Sequence, residues 1–132
     1  VDRDVIVVGW TPTPQGEAAV EAAVAEAGRR DGVLHVVNAS SGDSYVDNKI
    51  ASTEQLRALR DRLSGQGVEH EVVQQVGRFE PAEEILDAAD RLGAALVVLG
   101  IRRRTPVGKL LMGSTAQRVL LQSACPVLSV KA

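Results

Sequence analysis

Leu96-Val97-Val98-Leu99-Gly100 is an unbroken apolar run closed by a glycine, and its continuity decides the fold. A strand with one wet face alternates apolar and polar residues. A strand with no polar residue is covered on both sides, as in a parallel sheet flanked by helices. Downstream, a basic stretch leads to Gly113-Ser114-Thr115. There a helix is predicted, capped by Ser114 with Gln117 and burying Ala116, Val119 and Leu120. A last strand follows over Pro126–Val130. Upstream, Pro81 and two first-turn acids, Glu83 and Glu84, open a helix carrying Ile85, Leu86, Ala89 and Leu92 that stops at Gly93.

The amino-terminal half repeats the scheme. Val5-Ile6-Val7-Val8 lies in a strand over Asp4–Gly9, and a second strand covers Gly32–Asn38. Between them Ala19, Val20, Ala23, Val24 and Ala27 fall at helical spacing, with Thr13-Pro14 as cap and first turn and Gly28 as the stop. Ser52 and Gln55 form a capping box for a helix through Leu56, Leu59 and Leu63 that ends at Gly65. The third strand, Val68–Gln75, starts Val68-Glu69-His70-Glu71-Val72; half polar, it belongs at an edge. The fourth is Ala95–Gly100. Strand and helix alternate throughout, which predicts one doubly wound α/β domain over residues 1–132, with five parallel strands and four helices.

Composition narrows the function classes. The chain has 132 residues, 45% of them hydrophobic, with one Trp, one Tyr and one Phe, so Ala, Val, Leu and Ile must build the core. A net charge of −2 gives no general attraction to nucleic acid or an anionic membrane. A lone cysteine, Cys125, rules out an internal disulfide and fits a reducing compartment. No apolar run reaches bilayer length. The sequence reads as a soluble cytoplasmic protein.

Two connections are longer than linkage needs, Ala39–Ala51 and Ile101–Met112, and both leave the carboxyl ends of strands, where open α/β sheets place ligands. The second carries the chemistry. Arg102, Arg103, Arg104 and Lys109 concentrate positive charge in it, and the helix start at Gly113-Ser114-Thr115 offers backbone amides and a positive dipole end suited to a phosphate. Gly108-Lys109 resembles the end of a P-loop, but Arg103 stands where that motif needs a glycine and Leu110 where it needs Ser or Thr. His35, His70 and Cys125 have no partner at ligand or catalytic spacing and read as structural; no metal site is expected. Trp10 reads as a packing residue at the sheet end, with a base platform or a plug of the pocket as the other options.

These residues resemble the universal stress protein family, whose nucleotide-binding members carry Gly-x2-Gly-x9-Gly-Ser/Thr between the fourth strand and the last helix. Gly100, Gly113 and Ser114 match; Arg103 replaces the second glycine. Leu34–Val37, Gly77 and Cys125–Val130 extend the resemblance over essentially the whole chain. The resemblance implies an adenine-nucleotide α-hydrolase-like fold with strand order 3-2-1-4-5. It also implies a non-catalytic stress-response module holding ATP or another adenine nucleotide, with Mg only as the nucleotide's companion. Thr11 stands where family binders place an Asp after the first strand, so a neutral hydroxyl replaces a carboxylate. The nucleotide-binding set is then Thr11, Val36, Gly100, Arg102, Arg103, Lys109, Gly113, Ser114 and Thr115. The apolar, unguarded edge Val127–Val130 and the family's habit imply a homodimer through the last strand. Two alternatives stand beside this reading. In one, the chain is a stress-linked interaction protein that binds no nucleotide, because Arg103 fills the phosphate site. In the other it is a nucleotide hydrolase, for which only Asp43 and Asp47 offer acids within reach.

Overall fold

The computed structural model describes residues 3–40, 50–77, 79–102 and 112–132. Five strands, β1 (Val5–Gly9), β2 (Val33–Ser40), β3 (His70–Val76), β4 (Leu96–Ile101) and β5 (Val127–Lys131), form one all-parallel sheet in the order β3-β2-β1-β4-β5. Strand β1 is central, pairing Val7 with His35 of β2 on one side and with Val97 of β4 on the other. The half-polar β3 and the proline-led β5 are the edges, as expected. Strands β2 and β4 run to Ser40 and Ile101, beyond the expected Asn38 and Gly100. Their ladders continue there, through Ala39 to Gln75 and Ser40 to Val76, and through Ile101 to Lys131.

The period of two sorts each strand between two cores. Ile6, Val8, Leu34, Val36, Leu96 and Val98 pack under α1 (Pro14–Arg30) and α2 (Thr53–Gly65). Val7, Val37, Val97 and Leu99 pack under α3 (Pro81–Leu92) and α4 (Ser114–Gln122). Both faces are dry, which is why the strand runs are continuous.

Three helix details differ from expectation. Helix α1 passes through Gly28 and ends at Asp31, which takes a left-handed conformation with φ 51°. Gly28 faces open space, and one exposed helical glycine costs only about 1 kcal/mol. The last turn is held by the contacts of Arg29 and Arg30 with Glu26, and by Arg30 reaching Asp4 at 3.7 Å. In α4, Ser114 is the first helical residue and not the cap; Gly113 holds that position and no side chain caps the end. Gln117 instead donates to the Met112 carbonyl at 3.4 Å. Leu92 and Leu120 are exposed, because α3 and α4 present narrower stripes to the sheet than the spacing implied; Val119 and Ala116 carry α4's burial.

His35 is buried in β2, and its Nε2 has no hydrogen-bond partner among the described residues. Burial holds its pKa below the ordinary histidine range; Glu71, 4.0 Å from Nδ1, opposes the shift and Arg91 reinforces it. The unfolded chain therefore takes up a proton that the folded chain resists. Stability falls as pH drops below about 6.5 and recovers above it. Chemical denaturation of wild type and His35→Leu across that range should show the variant with the flatter acid limb.

Candidate functional site

Strand order reverses between β1 and β4, since the chain winds to β2 and β3 on one side of β1 and to β4 and β5 on the other. Loops leaving the carboxyl ends there diverge and leave a crevice. A cavity of about 630 Å³ occupies it, within the range of small-ligand sites.

Its floor is built by close backbone approach. After Gly9 the chain turns through Trp10-Thr11-Pro12 into α1. A Cβ on Gly16 would drive into the Thr11 carbonyl, and one on Gly100 would drive into the carbonyl of Gln15. The first turn of α1 thus seats against the turn at Thr11 and against the end of β4 at Gly100, and only glycine, with no Cβ, permits it. Thr13 caps α1 by accepting from the Gly16 amide at 3.2 Å, and its hydroxyl shares a 2.7 Å hydrogen bond with that of Thr11.

The walls differ in character. On the β2 and α3 side stand Val37, Ala39, Pro81 and Ile85, with Leu99 beside them. Across β1, two strand spacings or roughly 10 Å away, are Arg102 and the start of α4 at Gly113, Ser114 and Thr115. Helices α1 and α2 close their first turns with the side chains of Thr13 and Ser52, whereas neither α3, which starts with Pro81, nor α4 is capped by its N-cap side chain, and the first turn of α4 opens on the cavity. Arg102 is the one charged side chain lining the cavity among the described residues. An apolar slot at one side and amides with a guanidinium at the other suit a flat apolar group joined to an anion. Among the described residues no set of three His, Cys, Asp or Glu could hold a metal ion.

Of the nine residues named from sequence, Thr11, Gly100, Arg102, Gly113, Ser114 and Thr115 line this cavity. Val36 does not. It is fully buried under α1 and α2, because the strand period turns it to the other face, and its neighbours Val37 and Ala39 take the wall. Arg103 and Lys109, with Arg104, Gly108, Leu110, Asp43 and Asp47, lie outside the described residues. Trp10 is a packing residue. It is buried in the α1–α2 core, with Nε1 donating to Glu17 Oε1 at 3.2 Å, and it also contributes to the cavity wall. His70 is engaged locally, Nδ1 lying 2.7 Å from the Val68 carbonyl, and Cys125 is half-buried beside Ser123. Reading by motif passed over Val37, Ala39 and Ile85, which look like core in sequence. The parity of β2 about Val36 was the available signal. It also passed over Asn38, whose side chain donates to the Trp10 carbonyl.

Fold and site together define a doubly wound α/β domain with a small-ligand cavity at its switch point. The model of the universal stress protein family matches residues 3–131, and the chain belongs to that family. A universal stress protein of Mycolicibacterium smegmatis is 49% identical over 126 residues, 96% of each chain. One from Thermus aquaticus is 32% identical over 136 residues, 96% of this chain and 97% of the relative. Among solved structures, a universal stress protein from Archaeoglobus fulgidus superposes with a TM-score of 0.81 at 30% identity, over 99% of this chain and 100% of its own. Another, from the same organism and in complex with dAMP, has a TM-score of 0.73 at 26% identity over 99% of both.

The packing at Gly100 gives a direct test. Gly100→Ala should destabilise the protein by about 2 kcal/mol or more through overpacking against α1. Gly113→Val should cost less, about 1 kcal/mol for a poorer N-cap residue, because Gly113 has φ −66° and its added Cβ meets nothing within 4 Å among the described residues. Thermal melts of the two variants beside wild type would check the contrast.

Proposed function

We propose that this chain is a single universal stress module that binds an adenine nucleotide in the switch-point cavity and acts by binding, without turnover, in the cytoplasm. The observation that carries the reading is the two-sided cavity itself, apolar on the β2 and α3 side and amide-rich with Arg102 at the α4 start. The relative solved with dAMP supports an adenine nucleotide as the ligand class. In this reading the base lies against Val37, Ala39 and Ile85. A ribose hydroxyl donates to Thr11 Oγ1, an acceptor without a carboxylate's charge. The phosphates meet the amides of Gly113, Ser114 and Thr115 with Arg102, and Arg103 and Lys109 of the same loop assist. Gly100 serves by seating α1. With ATP, Mg would arrive with the phosphates.

Calorimetric titration of ATP and AMP tests the assignment. Arg103→Gly should bind about tenfold or more weakly, the loss of one charge-assisted hydrogen bond. Gly113→Val should lose still more, because a branched side chain then stands over the amides. Equal affinity in Gly113→Val and wild type would place the nucleotide elsewhere, and tighter binding by Arg103→Gly would mean that Arg103 fills the phosphate space.

We further propose a homodimer through β5. That strand is a sheet edge on which Val127 and Val130 pack inward while Leu128 is exposed. Pairing with a second copy would satisfy its backbone and cover Leu128. Sedimentation at tens of micromolar should show a dimer for wild type and a shift to monomer for Leu128→Lys; a wild-type monomer would refute the pairing.

A further inference from the structure

We propose that Asn38 is a positioning residue for the ligand, holding through its side-chain amide the backbone turn on which Thr11 stands; this rests on the nucleotide reading above. Asn38 is 1% exposed at the carboxyl end of β2 and does not line the cavity. Its Nδ2 donates to the Trp10 carbonyl at 3.0 Å. Its Oδ1 accepts from the Ala51 amide at 3.0 Å and from Gln74 Nε2 at 2.9 Å. Chemistry fixes the orientation of this amide. A carbonyl only accepts and a backbone N–H only donates, so the NH2 group must face Trp10 and the oxygen must face Ala51.

The Trp10 amide also donates to the Val37 carbonyl at 2.9 Å. Both polar groups of Trp10's backbone are therefore tied to β2, one to its main chain and one to the side chain of Asn38. The first bond extends the β1–β2 ladder and is open to almost any sequence. The second depends on one residue. Just beyond it the chain leaves the sheet, and Gly9, Trp10 and Thr11 become cavity wall. Without the Nδ2 donor the Trp10–Thr11 peptide loses its anchor, and the Thr11 hydroxyl loses its fixed position over the ligand. Gln74 braces the opposite side of the amide, its Nε2 donating to Asn38 Oδ1 and, at 2.8 Å, to the Ala51 carbonyl.

The isosteric substitution Asn38→Asp separates positioning from simple stability. Its carboxylate can still accept from Ala51 and Gln74, but it sets an oxygen against the Trp10 carbonyl. Protonation restores an O–H donor there, and burial beside a carbonyl raises the pKa so that mild acid suffices. AMP affinity of the variant, divided by that of wild type at the same pH, cancels the titration of the phosphate and of His35. We expect the variant to bind about tenfold more weakly near pH 7.5 and within about threefold of wild type near pH 5. Gln74→Leu should lower the melting temperature while leaving AMP affinity unchanged. If Asn38→Asp does not fold near neutral pH, Asn38→Ser, which leaves the Trp10 carbonyl without its donor, should bind about tenfold more weakly at both pH values. An affinity ratio near one at both pH values, or a Gln74→Leu variant that loses affinity in step with stability, would overturn the assignment. Wild type that binds neither AMP nor ATP would instead remove the nucleotide reading on which it rests.

Discussion

The first turn of α1 lies against the turn at Thr11 and the end of β4 so closely that neither Gly16 nor Gly100 has room for a Cβ. Several features follow from that contact. It sets how near α1 stands to the strands at the point where the winding reverses, and so it sets the floor of the crevice. It fixes where Thr13 caps the helix, and through the Thr11–Thr13 hydroxyl pair it fixes where Thr11 stands. Gly100 belongs to the sequence pattern associated with nucleotide binding, yet its demonstrated part is steric.

Among the described residues three helices bring their first turns to the cavity, α3 through Pro81, and α1 and α4 are finished differently. Helix α1 is closed by Thr13 and Pro14, which leave few amides to offer. Helix α4 starts at Gly113 without a side-chain cap, so its dipole and amides face the crevice. A glycine at the N-cap in place of Ser or Thr costs only about a few tenths of a kcal/mol, and an anion seated there would repay it. The asymmetry gives the cavity a polar side and an apolar side.

Much of this was legible in the chain. Continuous runs such as Val5–Val8 and Leu96–Leu99 announce strands covered on both faces, and the capping box at Ser52 and the left-handed Gly93 mark helix ends that the structure keeps. The boundaries that moved did so where tertiary contacts outweigh local signals. Helix α1 runs past Gly28 into a last turn where Arg29 and Arg30 meet Glu26, and Ser114 is the first residue of a helix whose N-cap is Gly113. The site was legible where backbone chemistry makes it, at Gly100 and Gly113–Thr115. It was illegible where ordinary apolar residues make it. Val36 and Val37 are the same residue type, and only the pleat decides which one faces the crevice. Asn38 carries no sequence signal, because its value lies in partners, Trp10, Ala51 and Gln74 among the described residues, brought together by different parts of the chain.

The cavity also has a topological property. Part of its lining comes from residues 9–16 and part from residues 99–102 and 112–116, and the pairing of β1 with β4, in which Ile6 lies beside Leu96, brings these distant stretches together. The amino-terminal half, β1 to β3, carries only part of the lining, and a fragment short of α4 lacks Gly113, Ser114 and Thr115. A molecule bound there acts as a non-covalent cross-link between the two halves. It opposes their separation, and it slows any proteolysis that must first part β1 from β4.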